Sequence, residues 1–339
     1  MVIHPEAMPS NPWLTIIGIG DDGFDSHLDS HLDSHFDSLG EIAHRVTTTA
    51  TLIVGGDRHL QFLPKTITCK TLRWSSPIQD SIDQLLTHRG QPVCILASGD
   101  PLCHGIATTL LRSIPLSEMQ IIPALSAFTL ARSRLGWSST EVETISLCGR
   151  DPAYLRAALY PNAKLLVLSS DEHTPNLVCD RLTEWGYGNA EVTILEHLGG
   201  QDEKQFHTIA HQRFSTPIAP LNTIAIQTHN SQFPILNSQF SIPDTQYQHD
   251  GQLTKQEIRT LTLAALSPFP GQLLWDVGAG SGSIGIEWMR THPRNQAVAI
   301  ESHPDRLANI THNAKTLGVK PENHRRTRSR RTAKSSAAR

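Results

Sequence analysis

The stretch Leu273-Leu-Trp-Asp-Val-Gly-Ala-Gly-Ser-Gly-Ser-Ile-Gly-Ile-Glu287 predicts a short strand, a glycine-dense turn and the beginning of a helix. Gly278, Gly280 and Gly282 allow the backbone to turn tightly and to approach a ligand that a Cβ atom would exclude. The next predicted strand, Ala297–Glu301, ends on an acidic residue about twenty residues beyond the turn, where a carboxylate can bind both hydroxyls of a ribose. Together these features predict a ligand that contains adenosine.

The acidic residue inside the turn distinguishes between two nucleotide cofactors. NAD would place its pyrophosphate at the helix N-terminus, where Asp276 would repel it. S-adenosylmethionine carries a cationic sulfonium and an amino group, and both suit an acidic Asp-x-Gly-x-Gly turn. A glycine-rich turn that binds no ligand is the alternative, although three glycines and a correctly spaced Glu301 exceed what packing requires. We therefore predict S-adenosylmethionine as the cofactor.

This turn resembles the first motif of class I S-adenosylmethionine-dependent methyltransferases. The resemblance implies a Rossmann-like domain in this part of the chain. It also implies that the cofactor is contacted by Thr254, Gly278, Ala279, Gly280, Ser281, Gly282 and Glu301.

Length and composition exclude several classes of protein. A chain of 339 residues suggests two domains of ordinary size, and 38% hydrophobic residues are sufficient for packed cores. No apolar run approaches the roughly 18 residues of a membrane span, and residues 1–12 lack the features of a secretory signal. A net charge of -3 gives no general attraction to nucleic acid. We expect a cytoplasmic protein that binds neither nucleic acid nor membranes.

Two features that could suggest a metal site carry little weight. The five cysteines lack Cys-x-x-Cys spacing, which argues against a disulfide framework or a zinc ribbon. Residues 24–38 repeat a four-residue unit that places His27, His31 and His35 along one helical stripe. Histidines at this spacing can bind Zn²⁺ or Ni²⁺, but a solvated extension of a short amphipathic helix is the favoured interpretation. We predict no metal.

Strands and helices alternate from residue 13 onwards. The β-branched run Trp13–Gly20 predicts a buried first strand. Further strands are predicted at Thr51–Val54, Pro92–Ala97, Gln120–Pro123, Glu143–Leu147, Lys164–Leu168, Glu191–Leu195 and Thr223–Gln227. Helices are predicted at Leu39–Ala50, Pro77–Arg89, Gly105–Arg112 and Ala124–Leu135, with a loop at Gly55–His59. This succession indicates an α/β fold whose ligands bind at the carboxyl ends of the strands.

Three of these strand ends carry small residues: Gly18-Ile-Gly20, Ser98-Gly-Asp-Pro101 and Pro123-Ala-Leu-Ser-Ala127. Each is also an ordinary turn sequence when taken alone. Taken in order, Leu96–Leu102 and Pro123–Trp137 resemble signatures of the tetrapyrrole methylase family, and the resemblance extends from Trp13 to Thr228. It implies a fold of two subdomains and a first cofactor site formed by Gly18, Gly20, Ser98, Gly99, Asp100, Ser126 and Ala127.

The two resemblances occur in one chain. A tetrapyrrole methylase domain followed by a class I turn is similar to fused enzymes of cobalamin biosynthesis, which implies a precorrin as substrate. It further implies methylation of C5 by the first domain, and methylation of C15 with decarboxylation of the C12 acetate by the second. Two alternatives stay open, namely methylation of another small molecule and a non-catalytic binding protein. A homo-oligomer is compatible with the sequence.

The sequence identifies no catalytic residue. Methyl transfer from a sulfonium requires alignment and exclusion of water rather than a nucleophilic side chain. His104 is a candidate base, with a capping or packing role as the alternative. Four arginines are candidates for pairing with substrate carboxylates: Arg58, Arg132, Arg134 and Arg150.

The predicted domains are a tetrapyrrole methylase domain over 13–229, a linker over 230–250, a truncated class I methyltransferase domain over 251–319 and a basic, disordered tail over 320–339. From Leu273 onwards the pattern supplies two strands, whereas a complete class I domain needs about four or five more. We therefore expect C15 methylation and decarboxylation to be impaired.

Overall fold

The computed structural model describes residues 12–21, 38–229, 242–319 and 324–325. The predicted histidine repeat therefore lies almost entirely outside the described residues. The described residues form two compact units. The first unit consists of the described residues within 1–140, 194–206 and 218–224. The second unit consists of those within 141–193, 207–217 and 225–339. Among the described residues, no helix is both long and apolar enough to cross a membrane, and no cluster of side chains is suited to hold a metal ion.

The first sheet has five strands in the order β3-β2-β4-β1-β5. Its strands are β1 (Leu14–Ile19), β2 (Leu52–Gly55), β3 (Lys70–Arg73), β4 (Val93–Ser98) and β5 (Met119–Ile122). All four pairings are parallel. The accompanying helices are α1 (Ser38–Thr49), α2 (Asp57–Gln61), α3 (Ile78–Leu86), α4 (Ile106–Leu110) and α5 (Ala127–Leu135). The predicted α/β class is confirmed.

Alternation of side chains gives this sheet a core on each face. Leu14 and Ile16 of β1 belong to one buried cluster, whereas Ile17 belongs to the other. In β4, Ile95 and Leu96 divide in the same way. Successive residues of a strand point to opposite faces, so continuous apolar runs such as these are required where both faces are covered.

The second sheet has the order β6-β7-β10-β8-β9. Its strands are β6 (Val142–Ser146), β7 (Lys164–Leu168), β8 (Glu191–Glu196), β9 (Lys204–Ile209) and β10 (Asn222–Gln227), and α6 spans Thr174–Glu184. Neither β3 nor β9 has a predicted counterpart. Both are edge strands with largely exposed polar side chains, so they lack the apolar pattern that identifies a strand.

The third sheet consists of β11 (Leu273–Val277), β12 (Gln296–Ile300) and β13 (His324–Arg325), all parallel and in that order. Its helices are α7 (Gln256–Leu266), α8 (Ser283–Thr291) and α9 (Pro304–Thr316). The prediction of a structureless tail over 320–339 is wrong at β13. Backbone pairing with β12 forms this strand, and two residues are too few to show apolar periodicity.

Part of the predicted linker is folded. Ile242 and Tyr247 are buried with Leu263, Ile286 and Trp288 in the core beside the third sheet. The linker prediction is therefore wrong from residue 242 onwards, because spaced apolar residues in a stretch rich in Gln and Pro show no period. Residues 230–241 lie outside the described part of the chain.

Candidate active site

The glycine-rich turn between β11 and α8 leaves an open face. Gly278 and Gly280 have φ angles of +78° and +58°, which favour glycine. A Cβ atom on Gly278 would meet nothing within 4 Å, and one on Gly280 would meet only Gln252 O at 3.9 Å. Gly282 differs, because its Cβ would lie 2.9 Å from Cγ2 of Ile310. The first two glycines thus form a cradle that a ligand can approach, whereas the third is required for packing.

Glu301 lies directly after β12 and is bound to the turn. Its Oε2 accepts a hydrogen bond from the Gly280 amide at 2.9 Å, and its Oε1 accepts from the amides of Ser302 at 2.6 Å and His303 at 2.9 Å. Burial raises the pKa of Glu301, but these backbone donors outweigh burial and hold the pKa below its ordinary value. A buried, ionised carboxylate therefore faces the turn, and its Oε2 retains capacity for another donor. Its binding of a ribose stays a prediction.

Asp276 is the acidic residue of the turn itself. Its Oδ2 accepts from the Gly285 amide at 3.2 Å, in the first turn of α8. Burial raises the pKa of Asp276, and the negative charge of Glu301 raises it further, whereas the Gly285 amide opposes the shift. A helix N-terminus stabilises a carboxylate without any ligand, so this contact weakens the sequence argument that Asp276 selects a cationic cofactor.

A neighbouring segment packs on the turn, and no motif in the sequence predicts this contact. Ser281 Oγ donates to Gln252 O at 2.8 Å. Asn313 Nδ2 donates to Ser281 O at 3.0 Å and to Gln248 O at 2.9 Å. The side chain of Ser281 is thus committed to Gln252, and Asn313 links the carbonyls of Ser281 and Gln248. Thr254 is exposed, and its carbonyl accepts from the Arg259 guanidinium.

In the other unit, the predicted small residues meet at the carboxyl ends of β1, β4 and β5. Gly99 N donates to Ile19 O at 2.8 Å, and Ala124 N donates to Gly99 O at 3.1 Å. A Cβ atom on Gly18 would lie 1.8 Å from Gly99 O. Gly18 is therefore required by the packing of three backbone segments. Gly20 lies directly after β1. The role of Gly18 as the floor of a ligand site stays a prediction.

Asp100 and Ser126 have local hydrogen-bond partners. Asp100 Oδ1 accepts from the Leu102 amide at 2.8 Å, which closes the turn after β4. Ser126 is the N-cap of α5, and its Oγ accepts from the Thr129 amide at 3.2 Å; Ala127 is the first residue of that helix. The structure brings these predicted residues to one edge of the sheet and also gives each a structural role.

A group of polar side chains at this edge, here called the Asp21 cluster, consists of Asp21, Arg58, His59, Ser98 and His197. Asp21 Oδ1 lies 2.5 Å from an Arg58 nitrogen, and Asp21 Oδ2 lies 2.7 Å from His197 Nδ1. Ser98 Oγ accepts from Arg58 at 3.1 Å and lies 3.0 Å from His59 Nε2. Burial lowers the pKa of His59 to about 4, with a contribution from the Arg58 charge, so His59 is neutral.

Of the Asp21 cluster, only Ser98 and Arg58 are candidate residues from the sequence, and the segment that carries Arg58 differs from its prediction. The sequence predicts a loop over residues 55–59, but α2 begins at Asp57, with Leu60 N donating to Gly56 O at 3.0 Å. The loop prediction is therefore wrong, because an extended Gly56 can act as an N-cap. This short helix directs Arg58 to Asp21 and Ser98.

The remaining predicted candidates lie in other contacts. His104 has a φ of +55° and packs edge-on against Phe128, with ring centroids 5.9 Å apart. Arg134 pairs with Glu203, and its Nε lies 2.5 Å from Oε1 of that carboxylate. Arg132 donates to Thr129 Oγ1 at 3.4 Å and Arg150 to Ser146 O at 3.4 Å. Neither His104 nor Arg134 belongs to the Asp21 cluster.

Comparison with known proteins identifies the family. Residues 37–212 match the family model of tetrapyrrole (corrin/porphyrin) methylases, and residues 245–336 match that of a precorrin methyltransferase domain. A precorrin-6Y C(5,15)-methyltransferase [decarboxylating] from a Sinorhizobium species is 41% identical over 319 residues, which cover 94% of this chain and 74% of that protein. The chain belongs to the precorrin-6Y C5,15-methyltransferase family. The predicted resemblance is confirmed.

Two further relatives show how the family match is distributed. A protein of the same name from Mycobacterium tuberculosis is 38% identical over 310 residues, which cover 90% of this chain and 74% of that protein. A cobalt-precorrin-7 C(5)-methyltransferase from Salmonella typhimurium is 26% identical over 191 residues, which cover 56% of this chain and 88% of that protein. Precorrin-6Y methyltransferases thus match nearly the whole chain, whereas the cobalt-precorrin-7 C(5)-methyltransferase matches about half of it.

Proposed function

We propose that this chain transfers methyl groups from S-adenosylmethionine to carbon atoms of a precorrin in cobalamin biosynthesis. The observation that carries the proposal is the cradle of Gly278 and Gly280 beside the ionised Glu301, in a chain of the precorrin-6Y methyltransferase family. Two features that suit an adenosine support the proposal: backbone that can be approached closely, and a carboxylate that can accept hydrogen bonds from ribose hydroxyls. A cytoplasmic location and a homo-oligomer stay predictions.

The first half of the chain is proposed to methylate C5. The Salmonella relative, whose name states C(5)-methylation, aligns over 88% of its own length with 56% of this chain. The family-model match to tetrapyrrole methylases covers residues 37–212. Methylation of C15 and decarboxylation are accordingly assigned to the region that matches the precorrin methyltransferase domain, and their impairment stays a prediction.

The protein's own residues contribute binding and alignment. When bound, S-adenosylmethionine supplies an activated methyl group on a cationic sulfur. Glu301 would accept hydrogen bonds from ribose hydroxyls through Oε2, the atom that already binds the Gly280 amide. The turn at Gly278 and Gly280 would contact the ligand through its backbone. Fixing the donor in this way aligns it with the nucleophilic carbon and excludes water from the reacting groups.

Calorimetry with S-adenosylhomocysteine tests cofactor binding without turnover. We expect the full chain to bind, and Glu301→Gln to weaken binding to the third-sheet unit by about tenfold or more, because a neutral amide is a poorer acceptor for hydroxyl donors. Glu184→Gln, in the exposed pair with Arg181, is the matched control and is expected to leave the affinity unchanged. Wild-type affinity in the Glu301 variant would remove this residue from the site.

An assay with labelled methyl groups and a precorrin-6 substrate tests the reaction. Incorporation into the macrocycle supports the proposal, and mass analysis of the product shows whether one or two methyl groups are added and whether carbon dioxide is lost. Cofactor binding without incorporation would favour a non-catalytic binding protein. Incorporation into a different acceptor, with none into the precorrin, would favour methylation of another small molecule.

A further inference from the structure

Asp21 is held between two basic side chains in the first unit. One carboxylate oxygen lies 2.5 Å from Arg58 and the other 2.7 Å from His197 Nδ1. The Asp21 side chain is 12% exposed, whereas those of Arg58 and His197 are 33% and 32% exposed. Because both oxygens are bound, the carboxylate cannot rotate away from the imidazole. Asp21 therefore fixes the orientation of His197.

The contact also fixes the tautomer of His197. A carboxylate only accepts hydrogen bonds, so Nδ1 of the neutral imidazole carries the proton and Nε2 carries the lone pair. Nε2 has no hydrogen-bond partner among the described residues, and the side chain is about one-third exposed. A carboxylate bound to Nδ1 with a free Nε2 is the arrangement of an oriented general base.

The backbone around His197 supports a functional role. His197 has a φ of +48°, in the left-handed region that a non-glycine residue rarely adopts. Gly200 N donates to His197 O at 2.8 Å, and a Cβ atom on Gly200 would lie 2.8 Å from Asp21 Oδ2. The turn is thus fitted closely to Asp21 at the expense of backbone strain, which is typical of active sites.

The position is the ligand-facing edge of the sheet. Asp21 follows β1, Ser98 ends β4, and Arg58 lies two residues into α2, which follows β2. Ligands of parallel α/β sheets bind at these carboxyl ends. His59 in the same cluster is a poor base, because burial lowers its pKa to about 4 and its Nε2 faces Ser98 Oγ at 3.0 Å.

We propose that His197 is the base that accepts the proton released from the carbon methylated by the first half of the chain, and that Asp21 is its positioning residue. The inference rests on the proposed methyltransferase function. The methyl–sulfur bond breaks with its electron pair remaining on sulfur, and the methyl–carbon bond forms with an electron pair of the macrocycle. The carbon–hydrogen bond then breaks, its electron pair returns to the macrocycle, and the proton passes to Nε2 of His197. Asp21 stabilises the resulting imidazolium.

Turnover of variants tests the role in chemistry. His197→Asn keeps a side-chain donor for Asp21 but removes the proton acceptor, so kcat for C5 methylation is expected to fall by about 10²–10⁴-fold. The affinity for S-adenosylhomocysteine is expected to stay within twofold of wild type. His88→Asn, just after α3 and half-buried, is the matched control outside the Asp21 cluster and should leave kcat unchanged. A kcat within threefold of wild type for His197→Asn would overturn the assignment.

The tautomer of His197 provides a readout that needs no activity. In ¹⁵N-labelled wild-type protein at pH 8, His197 is expected to show a protonated Nδ1 and an unprotonated Nε2, and Asp21→Asn to shift this resonance pair towards a mixture. The opposite tautomer in wild type would overturn the inference even if methyl transfer occurs. Absence of methyl transfer by wild type would refute the proposed function instead, while a protonated Nδ1 would still confirm the Asp21–His197 arrangement.

Discussion

Arg259 Nε lies 2.7 Å from Glu287 Oε1, and neither side chain is exposed to solvent. The same guanidinium lies 2.7 Å from Asp244 Oδ1 and donates to the carbonyl of Ile242. The Tyr247 hydroxyl also donates to Glu287 Oε1 at 3.2 Å. Burial raises the pKa of Tyr247, and the charge of Glu287 adds to this. The two ion pairs of Arg259, together with the hydrogen bonds of Ile242 and Tyr247, therefore join residues 242–247 to α7 and α8.

Glu287→Gln is expected to destabilise the unit that contains the third sheet by about 3 kcal/mol, because it leaves a buried guanidinium with one carboxylate partner fewer. Denaturant unfolding measures the change. Asp250→Asn is the matched control, since Asp250 lies 2.7 Å from Arg306 in an exposed pair, and its loss should cost less than about 1 kcal/mol. Equal effects of the two substitutions would show that burial of the Arg259 pair is not what stabilises this region.

Substitutions of Gly280 and Gly282 are expected to have different effects on ligand affinity and on stability. Gly280→Ala faces open space, so its cost in stability is the strain of a left-handed backbone, about 1 kcal/mol, while a methyl group in the cradle obstructs the ligand. Gly282→Ala places a Cβ atom 2.9 Å from Ile310 and should destabilise the fold more. Thermal unfolding and titration with S-adenosylhomocysteine measure both quantities. A Gly280→Ala variant with wild-type affinity would contradict the cradle.

Glu301 should give the third-sheet unit a defined dependence on pH. Its folded-state pKa is lowered, so its contribution to stability is present above the unfolded-state pKa of about 4.3 and is lost as the pH falls through the folded-state pKa. The difference in unfolding free energy between wild type and Glu301→Gln is therefore expected to be largest above pH 5 and to shrink on acidification. A difference that is constant from pH 7 to pH 3 would argue against an ionised Glu301 in the fold.

Asp276→Asn is expected to raise the melting temperature at pH 7. Burial raises the pKa of Asp276, so the folded state disfavours the charge, and an asparagine oxygen can still accept from the Gly285 amide. If the carboxylate is retained for ligand binding, the same variant should bind S-adenosylmethionine more weakly than wild type. Lower stability with unchanged affinity would show that Asp276 serves only to cap α8.

Asp100→Ala is expected to weaken cofactor binding in the first unit, because it removes the acceptor for the Leu102 amide that closes the turn after β4. Asp100→Asn keeps such an acceptor and serves as the matched variant, with affinity close to wild type. Calorimetry on the full chain distinguishes the two. Loss of affinity in both variants would show that the charge of Asp100, rather than the turn, is required.

The sequence predicts the candidate site from features of neighbouring residues. A β-branched strand, closely spaced glycines and a carboxylate after the next strand are local features, and the structure places Gly280 and Glu301 in direct contact. The sequence could not predict that Asp276 accepts a hydrogen bond from the Gly285 amide or that Ser281 donates one to Gln252. Those contacts depend on how a helix and a separate segment pack on the turn.

Sequence alone determined the α/β class, the two methylase-type motifs and the candidate cofactor residues, because strand burial and glycine conformation leave a pattern in consecutive residues. Only the tertiary structure decided the Asp21 cluster. Asp21 and Arg58 are separated by 37 positions, and Asp21 and His197 by 176. The end of β1, the short helix α2 and the end of β8 bring these side chains together, and no periodicity or spacing records a contact between residues so far apart along the chain.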